Sequence, residues 1–377
     1  MTPSPNRLPY YRSCTPEEAA RYAENTQYGH YDLLPSEIPW RDRQPFLQSQ
    51  GYLLRPRYNP NWTPSWLGTL RHPQDCEDSI WPKTLNNVLD ATHQSDGHRV
   101  SIKVVPKNTQ EIEIGRLLTG HTLEQDPRNH CVPILDVFPD PVDTTKALIV
   151  SPYLTPFNDP EYTTLGEVLD LIQQTLEGID FMHSQGVAHG GCTAANIMMD
   201  SNRLYPRGHH PVRRELTMDV ANDSGHLPRS DIPVKYYLVN YSMSTRFVEG
   251  QKPLFTGTEG HEQTPLESGA EQQRNAYKLD IYTLGRLYHE KFIGVYEGME
   301  FLMPLIEAML DNGLAHCTPS ARALEIFGAL IAEANLSAPR LRCKLRRRSE
   351  SAPVRLIWGT VAMAKEGLSQ AMRLAGL

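Results

Sequence analysis

Between Val187 and Asp200 the chain reads VAHGGCTAANIMMD, a loop-like stretch that carries one imidazole, His189, and one amide, Asn196. The residues between them include Gly190 and Gly191, which have no side chain and can do no acid–base work. Three carboxylates follow, Asp200, Asp219 and Asp223, and nothing in their spacing requires them to supply what the glycines lack. Asn240, in VKYYLVNYSMSTRF, offers an uncharged oxygen, and a hard cation such as Mg²⁺ prefers charged oxygen. Lys103 lies in the alternating run RVSIKVV; as a lone feature it reads as a solvated lysine on a half-buried strand. Glu111 is the fourth residue of NTQEIEIGRLL, where it could close a capping box with Asn108. Asp280 begins DIYTLG.

Several elements must position these groups. Asn87 to Val105 reads as a hairpin: Asp96-Gly97 supplies the turn, and Val100, Ile102 and Val104 alternate with Arg99, Ser101 and Lys103. Asn108 or Thr109 could cap the helix that follows. Ala147 to Leu154 reads as a strand running into a linker. Thr164 to Gly186 is the clearest helix, with Leu165, Val168, Leu169, Ile172, Leu176, Ile179 and Met182 on one face. Thr164 and Glu167 form its capping box, Gly186 closes it, and it delivers the chain to His189. Leu204 to Asp231 is a polar connection of unusual length. Val234 to Phe247 is a strand with a sharp exit, and Phe301 to Leu310 an apolar helix. Arg55 to Trp66 is proline-dense and extended, with Trp62 and Trp66 as anchors on a core. Arg340 to Arg348, RLRCKLRRR, reads as the solvated basic end of a last helix, and Ile357 to Leu377 as one more amphipathic helix.

With 377 residues the chain is long enough for one two-part domain with tails. A net charge of -7 gives no whole-chain sign of nucleic-acid binding. The six cysteines show no C-x-x-C pairs and read as reduced thiols. No apolar run follows the start and none reaches membrane-spanning length, so neither secretion nor a membrane span is expected. The expected location is intracellular, cytoplasmic or nuclear.

Taken in order, these features resemble the protein kinases. V-x-I-K at 100–103 resembles the V-A-I-K strand, with Ser101 in the alanine position. The resemblance implies that Lys103 reaches the α- and β-phosphates of a nucleotide and that Glu111 pairs it. It makes Ser151 the residue guarding the back of the pocket, and Pro152-Tyr153 the start of the hinge. The loop at 187–200 resembles H-R-D-L-x-x-x-N: His189 and Asn196 are in place, but Gly190 replaces the arginine and Gly191 the catalytic aspartate. Asn240-Tyr241-Ser242 stands where D-F-G is expected, and Tyr241 can pack as that phenylalanine does. TPLE at 264–267 is a loose echo of A-P-E, and the arginine that pairs its glutamate would fall near Thr318 and is absent. DIYTLG resembles D-x-W-S-x-G, whose aspartate, here Asp280, holds the backbone of the catalytic loop. The glycine-rich phosphate loop has no counterpart, since CEDSIWPKTL at 76–85 contains no glycine. DPRNHCVPILDVF, LEGIDFMHSQGVAH, NIMMD, YPRGHHPV and KYYLVNYSMS further resemble the large group of fungal, mostly mushroom-type, kinase-like proteins.

The fold implied is α+β: a two-lobed kinase-like domain at 46–335. A small β-rich lobe covers about 46–152 and a larger helical lobe about 153–335, with a polar insert at about 201–233. Residues 1–45 are expected as a partly disordered extension and 336–377 as a basic segment plus a helix. The function implied is that of a pseudokinase, a binding or regulatory scaffold for unidentified protein partners. ATP is expected at low affinity at most, and no metal site, because Gly191 and Asn240 replace the catalytic and metal-binding aspartates. Lys103, Glu111, Ser151 and Asn196 are the residual nucleotide residues, and His189 and Asp280 the structural ones. The alternative is an active ATP-dependent Ser/Thr-type kinase with atypical catalytic residues. Neither nucleic acid nor membrane is an expected partner.

Overall fold

The structure is a computed structural model, and it describes residues 13–82, 87–255, 274–311, 317–336 and 341–348. The class is α+β. Two helices, α1 (Pro16–Gln27) and α2 (Ile38–Ser49), precede a five-stranded antiparallel sheet. Its strands are β1 (Tyr52–Leu53), β2 (Val88–His93), β3 (Arg99–Pro106), β4 (Asp136–Pro139) and β5 (Lys146–Pro152), in the order β1-β2-β3-β5-β4. Between β3 and β4 lie α3 (Glu111–Leu118) and the single turn α4 (His121–Glu124).

The second half is helical. The central helix α5 (Leu165–Ser184) packs with α6 (Ala276–Tyr288) and α8 (Ser320–Glu333), and α7 (Met303–Leu310) packs on those two. A small sheet of β6 (Thr155–Pro156), β8 (Ile197–Met199) and β9 (Tyr236–Leu238), in the order β6-β8-β9, carries the loops of interest. A two-stranded ladder pairs β7 (Val187–Ala188) with β10 (Thr245–Arg246).

Period-two alternation decides the first core. Leu89 and Ala91 of β2, with Val100, Ile102 and Val104 of β3, point to one face and pack against Trp40 and Leu47 of α2. Lys103, Ser101, Arg99, Asp90 and Val88 therefore share the opposite face. The second core is larger and follows the helical spacing of α5: Val168, Leu169, Ile172, Leu176, Ile179 and Met182 are all buried in it.

Four expectations change. The segment read as a partly disordered extension holds α1 and α2, and α2 is part of the first core. Its Arg43 makes a buried bidentate pair with Asp140 at 2.7 and 3.0 Å, and the Glu37 before it pairs with Arg57 at 2.9 and 3.0 Å. Neither Asn108 nor Thr109 caps α3: the cap is Gln110 without a side-chain bond, and the Thr109 hydroxyl donates back to Pro106. The α5 box is only half formed. Thr164 accepts from the Glu167 N–H, but the Glu167 carboxylate accepts from Thr163.

Past Leu341, which is still helical, the basic run is not a helix end either. It is an extended strap, with Lys344 bridging to Thr164 and Arg347 to Tyr296, while Leu341 and Leu345 pack on the helical core. Arg347 pairs with Glu161 at 2.6 Å and Arg348 with Glu300 at 2.5 Å. A strap uses the backbone polar groups that a free helix end would leave to water. The TPLE segment and the helix expected at 357–377 lie outside the described residues. No helix among the described residues is long and apolar enough to cross a membrane.

Candidate functional site

Strand alternation points Lys103 away from the first core and toward the helical half. Its Nζ meets Glu111, the first residue of α3, in an ion pair whose carboxylate is buried. This settles Glu111 as the partner of Lys103, not of Asn108. Nζ also donates to Asn240 Oδ1 at 2.7 Å. Asn240 Nδ2 donates to Asn196 Oδ1 at 3.0 Å, and Asn196 Nδ2 donates to the Gly191 carbonyl at 2.9 Å. One chain of contacts thus runs Glu111, Lys103, Asn240, Asn196, Gly191 and joins the sheet to the helical half.

Asn240 occupies this position through its backbone. It lies two residues beyond β9 in a left-handed conformation, φ 68°, which asparagine tolerates better than most residues. The turn sends the next side chain, Tyr241, inward. Tyr241 is buried against Gly115 of α3, and its hydroxyl donates to the carbonyls of Leu238 and Val132 at 3.2 and 3.3 Å. Tyr241 packs inward and makes two hydrogen bonds that phenylalanine could not make.

A second set of contacts braces the loop from below. Asp280, on α6, is fully buried and accepts from the His189 N–H and the Gly190 N–H at 2.8 Å each. His183, in the last turn of α5, adds a contact to Asp280 at 3.0 Å and one to Ser320 at 3.2 Å. Burial alone would push the Asp280 carboxyl up; the His183 bond and the nearby imidazoles and loop amides hold it below its usual range. The His189 ring accepts from Gly191 N–H at Nδ1 and therefore donates from Nε2 to the Val239 carbonyl at 3.1 Å. Burial pushes its pKa down, against the pull of Asp280, which fits a neutral ring with one donor and one acceptor. His189 is thereby committed as a brace. The neighbouring thiol, Cys192, is no nucleophile: burial first, then Asp280, pushes it well above the ordinary thiol range.

The two glycines differ. Gly190 has φ +75°, and a Cβ there would lie 2.3 Å from the Met243 carbonyl oxygen, so only glycine fits. Gly191 has ordinary φ, and its Cβ would meet nothing nearer than Asn196 Nδ2 at 3.2 Å. The loop requires glycine at the first position and merely lacks a side chain at the second.

No carboxylate is recruited in its place. Asp219 accepts from Thr217 and Ala221, Asp223 from the Gly225 N–H and Asp200 from the Asn202 N–H, each within its own turn. Ser151 stands opposite Ser101 on β5, on the same face of the sheet but outside the chain of side-chain contacts. In the segment without glycine, Asp78 is buried and accepts from Trp62 and Ser65, and Glu77 faces Arg55 and His210. These acids hold the segment in place.

Magnesium does not fit this donor set. Asn240 Oδ1 is taken by a cation, Asn196 Oδ1 by an amide N–H, and no ionised oxygen faces either. No group of three or more His, Cys, Asp or Glu among the described residues could hold a metal ion. Sequence reasoning missed His183 and Ser244, whose hydroxyl donates to the His189 carbonyl at 2.8 Å. A histidine in the last turn of a helix was the only signal for the first; the second had none. No protein-family model matches the chain.

Proposed function

We propose that this chain is a pseudokinase: a two-lobed kinase-like scaffold that has lost phosphoryl transfer and serves as a binding or regulatory module for protein partners. The observation that carries the reading is the closed chain Glu111–Lys103–Asn240–Asn196–Gly191. Its order along the sequence follows the kinase motifs, yet each polar side chain in it is bonded to another protein group. Phosphoryl transfer depends on positioning and on neutralising phosphate charge. Here the position of the base is a glycine, and the position of the metal ligand is an amide already bonded at both ends. A base typically contributes about 10²–10⁴-fold to such a rate, and the metal-borne charge stabilisation is lost with it. The braces of the loop, His189 and Asp280, are intact. That pattern favours a retained shape over a retained reaction.

The six cysteines are unpaired, five of them buried, which supports an intracellular location. The test is thermal melting of the purified chain with ATP, with and without Mg²⁺, beside transfer of labelled phosphate to itself or to a generic peptide. The expected result is no Mg²⁺-dependent stabilisation and no transfer. Labelling by the parent chain that a Lys103→Met variant abolishes would overturn the reading.

A further inference from the structure

Arg99 and Lys103 share one face of β3, because Val100, Ile102 and Val104 turn into the apolar core. Lys103 meets the helical half through Asn240. Arg99, about 13 Å away along the strand at ~3.3 Å per residue, meets it through the insert. Its Nη2 lies 3.0 Å from His209 Nε2, and its guanidinium carbon 4.0 Å from the centre of the Tyr153 ring. The Tyr153 hydroxyl donates to the Pro211 carbonyl at 3.4 Å, and Tyr205 packs on His209 with ring centres 4.5 Å apart.

The stretch between these two ends is also covered. Asp90 stands opposite Ser101 in register. Arg55 lies 3.7 Å from Asp90 and 3.3 Å from Glu77, and Glu77 lies 3.4 Å from the buried His210. Beyond them, Arg213 donates to the Gln74 carbonyl at 2.8 Å. The insert is rooted in the helical half: Leu204 is buried in its core and accepts from the Leu227 N–H at 2.8 Å, and Arg214 pairs with Asp159.

We propose that residues 205–214 of the insert are an intramolecular ligand of the sheet. They clasp it to the helical half through His209–Arg99 and His210–Glu77, across the face where a nucleotide would have to lie. That last clause rests on the kinase-like reading; the clasp itself does not. Charge agrees with it. The cations of this face, Lys103, Arg55 and Arg99, stand among Glu111, Glu77 and Asp90, so no surplus positive charge awaits a polyphosphate. Arg55 Nη2, Arg99 Nη1 and Glu77 Oε2 are buried without a protein hydrogen-bond partner. Such unmatched groups oppose closure and make the clasp one that can open.

The clasp is tested by the distance between the halves. Spin labels are placed at exposed Gln94, in the β2–β3 turn, and exposed Ala329, on α8, in the full chain carrying Cys343→Ser. Two clasp variants are compared with it: His209→Ala/His210→Ala, and a chain whose residues 206–226 are replaced by a short Gly-Ser turn, which the Leu204–Leu227 contact can close. The expected result is a distance distribution at least about twofold broader in both, as released domains show. A fluorescent ADP analogue without Mg²⁺ is titrated in parallel, and binding to the shortened chain but not to the parent is expected. An unchanged distribution in either variant, provided it melts cooperatively, overturns the clasp whatever the nucleotide does. Broadening without nucleotide binding supports the clasp and counts against the kinase-like reading of the cleft.

Discussion

Asn240 Nδ2 donates to Asn196 Oδ1 over 3.0 Å while Asn240 Oδ1 accepts from Lys103 Nζ at 2.7 Å. The ammonium can only donate, so it fixes which end of the Asn240 amide faces it. That in turn fixes Asn196, whose own N–H then reaches the Gly191 carbonyl. Two amides and a lysine determine one another's orientation, and the arrangement is complete without a metal ion.

An aspartate at position 240 would set oxygen against oxygen at Asn196. Asn240→Asp is therefore expected to lose one hydrogen bond, worth about 1 kcal/mol, with part of the loss offset by the new charge beside Lys103. Millimolar Mg²⁺ should raise the melting temperature of this variant and leave the parent unmoved. Melting curves of the variant that do not respond to Mg²⁺ would show that the position cannot be returned to metal binding by one charge.

The adjacent glycines make a sharper contrast. Gly190→Ala forces a Cβ against the Met243 carbonyl at a positive φ, and a loss of more than about 2 kcal/mol is expected. Gly191→Asp meets only the Asn196 side chain and should cost less than about 1 kcal/mol. It should restore no phosphate transfer, because the metal position stays deficient. Urea unfolding of the pair checks the first statement, and labelled nucleotide checks the second. Transfer by Gly191→Asp alone would contradict the functional reading.

Lys103→Met leaves Glu111 buried without its partner. Breaking such a pair costs about 3–5 kcal/mol when both groups are buried; Lys103 is 20% exposed, so about 2–3 kcal/mol is expected here. Lys103→Met/Glu111→Gln should recover most of it, since the uncompensated charge is then gone. If the double variant is no more stable than the single, the ion pair is not what holds α3 to the sheet.

How much of this was legible beforehand follows from where the information lies. The hairpin and α5 declare themselves through periodicity, because burial on one face is a local property of sequence; the helix carrying Asp280 is read only from the motif DIYTLG. The roles of Lys103, Glu111, His189, Asn196 and Asp280 rested on ordered motifs, and the structure brings all five into one connected region. Ser151 stays on the face and outside the contacts. The helices at 16–49 were hidden: α1 buries no side chain of its own and is held through Tyr22–His72 and Thr26–Trp66, while α2 carries Pro45 inside and, with the Glu37 before it, depends on Asp140 and Arg57. The strap at 341–348 was misread because its partners, Thr164 and Tyr296, are remote. The insert read as mere polar loop for the same reason. A histidine within hydrogen-bond distance of an arginine on another element leaves no periodic trace.

Acid should loosen the clasp before the rest of the molecule. Burial first, then the Arg99 charge, lowers the His209 pKa to about 4, with Arg214 adding to this and Asp159 opposing it. In the unfolded chain the same ring titrates near ~6.5. The unfolded state therefore binds the extra proton between these values, so stability is full above about pH 6.5 and falls as the pH drops toward 4. A shift of this size corresponds to roughly 2–3 kcal/mol at one residue that is not wholly buried. His189 acts in the same direction. Asp280, held below its usual range, contributes stability above the unfolded carboxylate pKa that is lost as pH falls further. His209→Gln removes one of these groups. Unfolding free energies measured between pH 7 and pH 4 should then fall less steeply in the variant than in the parent, with the curves converging toward the acid end. Parallel curves would mean that His209 is as free to take a proton in the folded chain as in the unfolded one, and the contact with Arg99 could not be a tight one.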